Sequence, residues 1–212
     1  MGNTRKKINM TWSSKFAYVI GIIAADGYVS KNGRHISITS KDQQILENCK
    51  QGLEINNQIT KKSRAAGEEK KYFVLQFGSV DFHKFLCSIG ITNAKSKTIS
   101  SVEVPEKFYI DFLRGCIDGD GSITVYQHKE SKLPQLKLRL VSASPSFLRF
   151  VKETNTTIMN IQGGWTYRSK NSSVSELVYG KTDAIKILNF VYNTDCNLRL
   201  DRKYQIAKRF IA

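Results

Sequence analysis

The chain has 212 residues, enough for one large domain or two small ones, and an apolar fraction of 41% suits a globular core. Its 33 Lys and Arg against 18 Asp and Glu leave a formal net charge of +15, which favours a polyanionic partner, nucleic acid ahead of an anionic membrane or a ribosome. Cys49, Cys87, Cys116 and Cys196 lie far apart without a CxxC pair, which argues against a zinc site or a disulfide framework and suits reduced, intracellular thiols.

Residues 1–12 read as a basic N-terminal arm. FAYVIGIIAA (16–25), preceded by the basic RKK of 5–7, imitates a signal peptide. It is too short to span a bilayer, and Lys6 stands where a myristoylation pattern needs Ser or Thr. No membrane partner is expected. The stretch also comes back, which a leader would not do: VIGIIAADG (19–27) aligns without a gap on LRGCIDGDG (113–121).

The segments after each copy correspond as well. Behind the first come KNGR (31–34), whose Asn32-Gly33 signals a two-residue hairpin, the alternating strand HISIT (35–39) and the helical pattern SKDQQILENCKQGL (40–53). YFVLQFGSVDFHKFL (72–86) then reads as strand, Gly turn and amphipathic helix. The first repeat therefore covers 13–94, and 95–104 forms a linker. The second repeat, 105–212, opens with Pro105 suited to a first helical turn. It continues through the strand LKLRLVS (136–142), the helix SASPSFLRFVKETN (142–155) and SELVYGKTDAIKIL (175–188). Each half reads helix, two strands, helix, two strands, helix, an α+β organisation of two αββαββα repeats.

The recurring helices carry the chemistry. Gly21 and Ala25, like Gly115 and Gly119, stand four apart on one helix face, where small size lets another backbone come close. If the helices pack side by side, Asp26 and Asp120 at their ends become neighbours. An acid at a helix C-terminus opposes the helix dipole, and two adjacent carboxylates repel, so a divalent hard cation such as magnesium is the natural bridge. Asp118 has Ala24 opposite it in the alignment and drops out of the ligand pair. Gly27 and Gly121 are expected to stop the helices in the left-handed conformation.

YVIGIIAADGYV and FLRGCIDGDGSI resemble the two motifs of a single-chain LAGLIDADG homing endonuclease, or meganuclease, with Ala24 replacing the first aspartate of the earlier motif. The run KSKTISSVEVPEKFYIDFLRG before the second motif is similar to the family's approach to it. The likeness runs from about residue 13 to the end of the chain. It implies antiparallel sheets forming a DNA-binding saddle in the major groove, and Asp26 and Asp120 as metal ligands and catalytic residues, with Ala25 and Gly119 beside them in the metal set. It implies two or three magnesium ions, with manganese supporting cleavage and calcium supporting binding only. It further implies a monomeric, intracellular, intron-encoded nuclease acting on double-stranded DNA, with the encoding intron RNA as a further partner. A basic residue near each active site is similar to Lys97 of SKT (96–98) and Lys203 of RKY (202–204).

Strand alternation supports a nucleic-acid face. With Ile36 and Ile38 inward, His35, Ser37 and Thr39 point out, and Ser122, Thr124, Tyr126 and His128 lie opposite Ile123 and Val125. Gln135, Lys137 and Arg139 lie opposite Leu136, Leu138 and Leu140. These types suit base edges. Arg34, Lys62, Arg64, Gln76 and Arg168 complete the candidate contacts, the basic ones at hairpins where phosphates would lie. Hydrolysis through metal-activated water at a long asymmetric target is the expected activity. An RNA-binding intron maturase and a non-cleaving DNA-binding regulator are the alternatives, and retention of both aspartates favours cleavage.

Overall fold

The computed structural model describes residues 7–63, 71–170, 172–195 and 197–211. Helix α1 (Ser14–Asp26) starts where the Ser13 hydroxyl accepts the Phe16 N–H at 3.2 Å, satisfying a donor that the first turn leaves free. It runs directly into β1 (Gly27–Val29), followed by β2 (His35–Ser40), α2 (Gln43–Leu53), β3 (Ile59–Lys62), β4 (Tyr72–Gly78) and α3 (Val80–Ser88). A helical turn, α4 (Lys95–Thr98), lies within the segment read as linker. A 3-10 turn over 106–108, rather than Pro105 itself, leads into α5 (Tyr109–Asp120), which runs directly into β5 (Gly121–Tyr126). Then come β6 (Gln135–Ser142), α6 (Pro145–Met159), β7 (Trp165–Tyr167), β8 (Ser175–Tyr179), α7 (Lys181–Tyr192) and α8 (Asp201–Ala207).

Both four-stranded antiparallel sheets have the same strand order, β1-β2-β4-β3 and β5-β6-β8-β7. The pairings correspond as well: Gly27 sits opposite Ile38 as Gly121 sits opposite Leu140. The fold is therefore α+β, two αββαββα repeats. Alternation sends Ile36, Ile38 and Leu75 of one sheet and Leu136, Leu138, Leu140 and Leu177 of the other into a single apolar cluster shared with the helices.

Helices α1 and α5 pack against each other through Gly21 and Gly115. A Cβ on Gly21 would collide with the Phe112 carbonyl, and one on Gly115 with the Tyr18 carbonyl. The contact is thus backbone against backbone, as the four-residue spacing of small residues anticipated.

Two local expectations are corrected. Gly27 and Gly121 are extended, with φ of −71° and −83°, not left-handed. Glycine is needed there because a Cβ on Gly27 would lie 2.7 Å from the Ile23 carbonyl oxygen, with the same collision repeated at Gly121 and Ile117. The Asn32-Gly33 pair does not make a two-residue hairpin, because β1 stops pairing at Val29. Residues 30–34 form the loop instead, with Gly33 at φ +72° and Asn32 Oδ1 accepting the Arg34 and His35 N–H groups, each at 3.1 Å.

Candidate metal centre and nucleic-acid interface

The packing of α1 on α5 brings their C-terminal ends together. Asp26 reaches across, so that a Cβ on Gly119 would sit 3.3 Å from its Oδ2 and 2.8 Å from the Ala25 methyl. The Asp26 and Asp120 side chains share a hydrogen bond. Burial, then the negative charge of Asp120, pushes the Asp26 carboxyl up to about 7, while Lys95 and Lys203 pull it down. Burial also raises Asp120, against the pull of Lys95, the hydrogen bond with Asp26 and the charge of Lys203. The pair titrates as a unit and retains a proton well above the usual carboxylate range.

Each helix end also carries its own cation. Lys95 Nζ donates to the carbonyls of Ala24 and Ala25, both at 2.8 Å. Lys203 Nζ donates to those of Ile117 (2.7 Å), Asp118 (2.7 Å), Gly119 (3.3 Å) and Gly121 (2.6 Å). Both ammonium groups meet carbonyls at a helix end and oppose its negative pole, although the Ile117 carbonyl also accepts the Gly121 N–H. Burial lowers both, Lys203 to about 8, against the pull of nearby aspartates. Lys97, expected in this role, is exposed on α4. Aligning SKT with RKY sets the register two residues late: α4 begins at Lys95, directly after Ala94 in the left-handed conformation, and that turn aims Lys95 at α1.

Asp118 lies apart from this pair. Its carboxylate is fully buried and accepts from Tyr18 Oη (3.0 Å), Tyr192 Oη (3.1 Å) and the Leu200 N–H (2.7 Å). Beside it, buried Arg114 donates to Asp111 (2.5 Å), the Val191 carbonyl (2.7 Å), Thr194 Oγ1 (2.7 Å) and the Leu198 carbonyl (2.9 Å). Together they tie down the segment before α8. Asp201 and Arg202 fasten α8 itself to Gln44 and Asp42 of the first repeat, which fixes where Lys203 points.

The outer faces of the sheets carry most of the expected contacts. His35, Ser37, Thr39, Lys62 and Gln76 line one concave trough of ≈470 Å³ together with Tyr28 and Thr60. His35 Nδ1 lies 2.7 Å from Asn32 Nδ2, and Arg34 is exposed in the neighbouring loop. In the second sheet Thr124 pairs with Lys137, Tyr126 with Gln135 and Ser122 with Arg139. Lys137 Nζ sits 5.2 Å from the Tyr126 ring centroid, and Gln135 turns back to Ser131 and Leu133. Two expectations shift. His128 lies beyond the end of β5, in the 127–134 loop, because pairing stops at Tyr126. Arg168 lies past the end of β7, in a second trough with Arg149 and Lys152 of α6, because its parity matches Thr166, which pairs with inward Leu177. Arg64 lies outside the described residues.

A family model described as a LAGLIDADG-like domain matches residues 13–90 and again 107–189. The chain belongs to the LAGLIDADG family. An uncharacterised protein of Methanocaldococcus jannaschii is 26% identical over 156 residues, 68% of this chain, which spans only 56% of that relative. Among solved structures, a mesophilic variant of the homing endonuclease I-DmoI aligns with a TM-score of 0.61 at 14% identity, over 92% of this chain and 97% of its own. The I-LtrWI homing endonuclease bound to target DNA gives 0.60 at 14%, over 92% and 89%. Full-length DUF199/WhiA from Thermatoga maritima gives 0.59 at 15%, over 95% of this chain and 63% of its own. A variant of I-DmoI was determined with its target DNA in the presence of 2 mM magnesium. The LAGLIDADG fold is thus shared by homing endonucleases and by DUF199/WhiA.

Within this LAGLIDADG chain, sequence reasoning missed Lys95 and the Asp118–Arg114 network. It also missed Tyr28, Trp165 and Tyr167, aromatic side chains exposed on the sheets. The helix-dipole argument could have found Lys95, because an acid-ended helix needs a cation. No pattern in the sequence marks Arg114, which pairs with Asp111 on its own helix and takes its other three partners from the distant 191–198 segment. Among the described residues no group of three or more His, Cys, Asp or Glu side chains gathers, so a metal here would rest on two carboxylates and backbone carbonyls. No described helix is long and apolar enough to cross a membrane.

Proposed function

We propose that the chain is a site-specific double-strand DNA endonuclease that hydrolyses phosphodiester bonds with magnesium and acts as a monomer. The observation that carries this reading is the Asp26–Asp120 pair, two acids brought side by side at the ends of two helices, Asp26 half-buried and Asp120 open to solvent. Repelling oxygen donors of this kind fit a hard divalent cation. Asp26 and Asp120 would hold it, with the carbonyls of Ala25 and Gly119 alongside, since a carbonyl that accepts one lysine keeps a second lone pair. When bound, such ions polarise the phosphate and activate water for in-line displacement. Manganese in the same role, calcium supporting binding only, and a total of two or three ions belong to the same reading.

The chain's own residues do the remaining work. Lys95 and Lys203 hold the helix ends fixed and place positive charge beside the position of the scissile phosphate. The two polar sheet faces read the DNA as a saddle, and because their residues differ, the target is asymmetric. An origin within an intron, and a location wherever that DNA resides inside the cell, belong to the proposal.

A second reading, a DNA-binding regulator that does not cut, is favoured by one specific observation. The lysines already supply the cation at both helix ends, so the fold satisfies itself without a metal. Selection of cleaved products from a randomised duplex library in magnesium, calcium or EDTA separates the two. Magnesium-dependent cuts at one enriched sequence, lost in Asp26→Asn and Asp120→Asn, are expected. Tight, specific binding without cuts in any metal would overturn the nuclease reading and leave the regulator.

A further inference from the structure

Among the described residues Glu176 is the one acid in any of the eight strands. It pairs with Val141 and Tyr167 on the outer face of the second sheet, where a carboxylate would repel the phosphates of a bound duplex. Its contacts explain its presence. Glu176 Oε2 accepts from Arg139 Nη1 at 3.2 Å and from Tyr167 Oη at 2.9 Å, while Arg139 Nε donates to Ser122 Oγ at 3.2 Å. The guanidinium of Arg139 on β6 is thus held by Ser122 of β5 and Glu176 of β8, and Glu176 in turn by Tyr167 of β7.

We infer that Glu176 and Tyr167 are positioning residues that hold Arg139 to read a guanine at the inner end of the half-site facing the second sheet. The inference rests on the nucleic-acid reading above. Ser122 is the second residue after Asp120 and the first outward position of β5, so the Ser122–Arg139 row is the strand row nearest the paired acids. A guanidinium has five N–H donors, and the two bonds described leave both hydrogens on Nη2 and one on Nη1. That remaining fork matches the O6 and N7 acceptors of guanine in the major groove, a pairing that a swinging side chain makes less selectively. Lys137, two residues along, has no such frame and lies over Tyr126.

The first sheet lacks the device. By register, Ser37 stands where Arg139 does, Tyr28 where Ser122 does, and Val74 where Glu176 does. The mirror position in the target therefore carries no guanine requirement, and the asymmetry of the site begins at this base pair.

The test is selection of bound sequences from a randomised duplex library in calcium, which needs no cleavage, with wild type, Arg139→Gln, Glu176→Gln and Tyr167→Phe. Wild type should enrich one guanine near the centre of the site, in one half only. Arg139→Gln should erase that preference, a change of about 10- to 100-fold at that position. Glu176→Gln should flatten the same position while total DNA affinity rises, because a negative charge is lost. A merely structural role for Glu176 would lower affinity evenly instead. Tyr167→Phe should weaken the preference in the same direction and by less. An enriched site whose base preferences are unmoved by Arg139→Gln, or a Glu176→Gln protein that keeps its guanine, overturns this inference alone. A library with no enriched sequence overturns the DNA-reading function beneath it as well.

Discussion

Gly21→Ala sets two well-known effects against each other. Alanine in a helix interior is worth about 1 kcal/mol over glycine, so propensity alone expects a more stable protein. The packing expects the reverse. The added Cβ would collide with the Phe112 carbonyl and lie 3.0 Å from Cys116 N and Gly115 Cα, all of them backbone atoms of a second buried helix that no rotamer change can move. Relief requires the helices to part by about 1 Å along an interface whose atoms are already at van der Waals distance. Overpacking of a rigid contact costs about 4 kcal/mol, at or above the upper end of the usual range, which leaves about 3 kcal/mol net destabilisation. For a chain of this size that is a fall in Tm of about 6–12 °C. Thermal and urea unfolding of Gly21→Ala, with Gly115→Ala as the reciprocal change, measure it. A variant as stable as wild type would refute the backbone contact, and with it the juxtaposition of Asp26 and Asp120 that depends on it.

The centre itself supplies three further expected outcomes. Lys95→Met and Lys203→Met each strip buried carbonyls of their donor and should destabilise by about 2–4 kcal/mol, whereas exposed Lys97→Met should fall within about 0.5 kcal/mol of wild type; equal losses for Lys95 and Lys97 would restore the sequence alignment over the structural one. In metal-free protein the Asp26 carboxyl, raised to about 7, binds its proton more tightly folded than unfolded. Its contribution to stability is therefore full below the unfolded value and is lost as pH rises towards and through 7. Unfolding in EDTA should show that decline and Asp26→Asn should remove it, while magnesium should offset it in wild type; a flat pH profile in EDTA would contradict the acid pair. Asp118→Ala orphans three buried donors and should cost at least about 3 kcal/mol by chemical denaturation, and a loss under about 1 kcal/mol would mean that those hydroxyls find other partners.

Much of the fold and the acid pair is legible in the sequence because it is written twice. The gapless match of VIGIIAADG with LRGCIDGDG yields the repeat, the packing face and the paired acids, and period-two alternation yields the inward isoleucines and leucines. The hidden part depends on residues far apart in the chain. Lys95 and Lys203 are 108 positions apart and sit at different places in their own helical turns, the first residue of α4 and the third of α8, so an alignment by local motif cannot pair them. The sequence places Arg168 at a hairpin where phosphates would lie, and only the register of β7 on β8 shows that its parity is that of Thr166. Glu176 reads as one more polar strand residue until its partners on two other strands are known.

The two helix ends are alike in backbone and unlike in support. Ala24 leaves the first helix end held by two lysine contacts, while Asp118 at the matching position anchors the segment that carries Lys203, whose ammonium meets four carbonyls. Aspartate at 118 could not serve the metal pair, because its oxygens are already committed to two tyrosines and an amide from α1, α7 and the residue before α8. Its burial instead makes the second centre depend on the correct docking of both repeats and of the C-terminal helix. A lysine bound to carbonyls loses entropy and is partly desolvated, and it holds its place only if the loop behind it is rigid. At the second centre that rigidity comes from Asp118 and Arg114. At the first it comes from the end of α4, where Ile99 is buried and its carbonyl accepts the hydroxyl of Ser144, just before α6, at 2.5 Å. One fold thus uses two different scaffolds to hold the same charge at the same place, and divergence between the repeats has been accommodated behind the acids rather than at them.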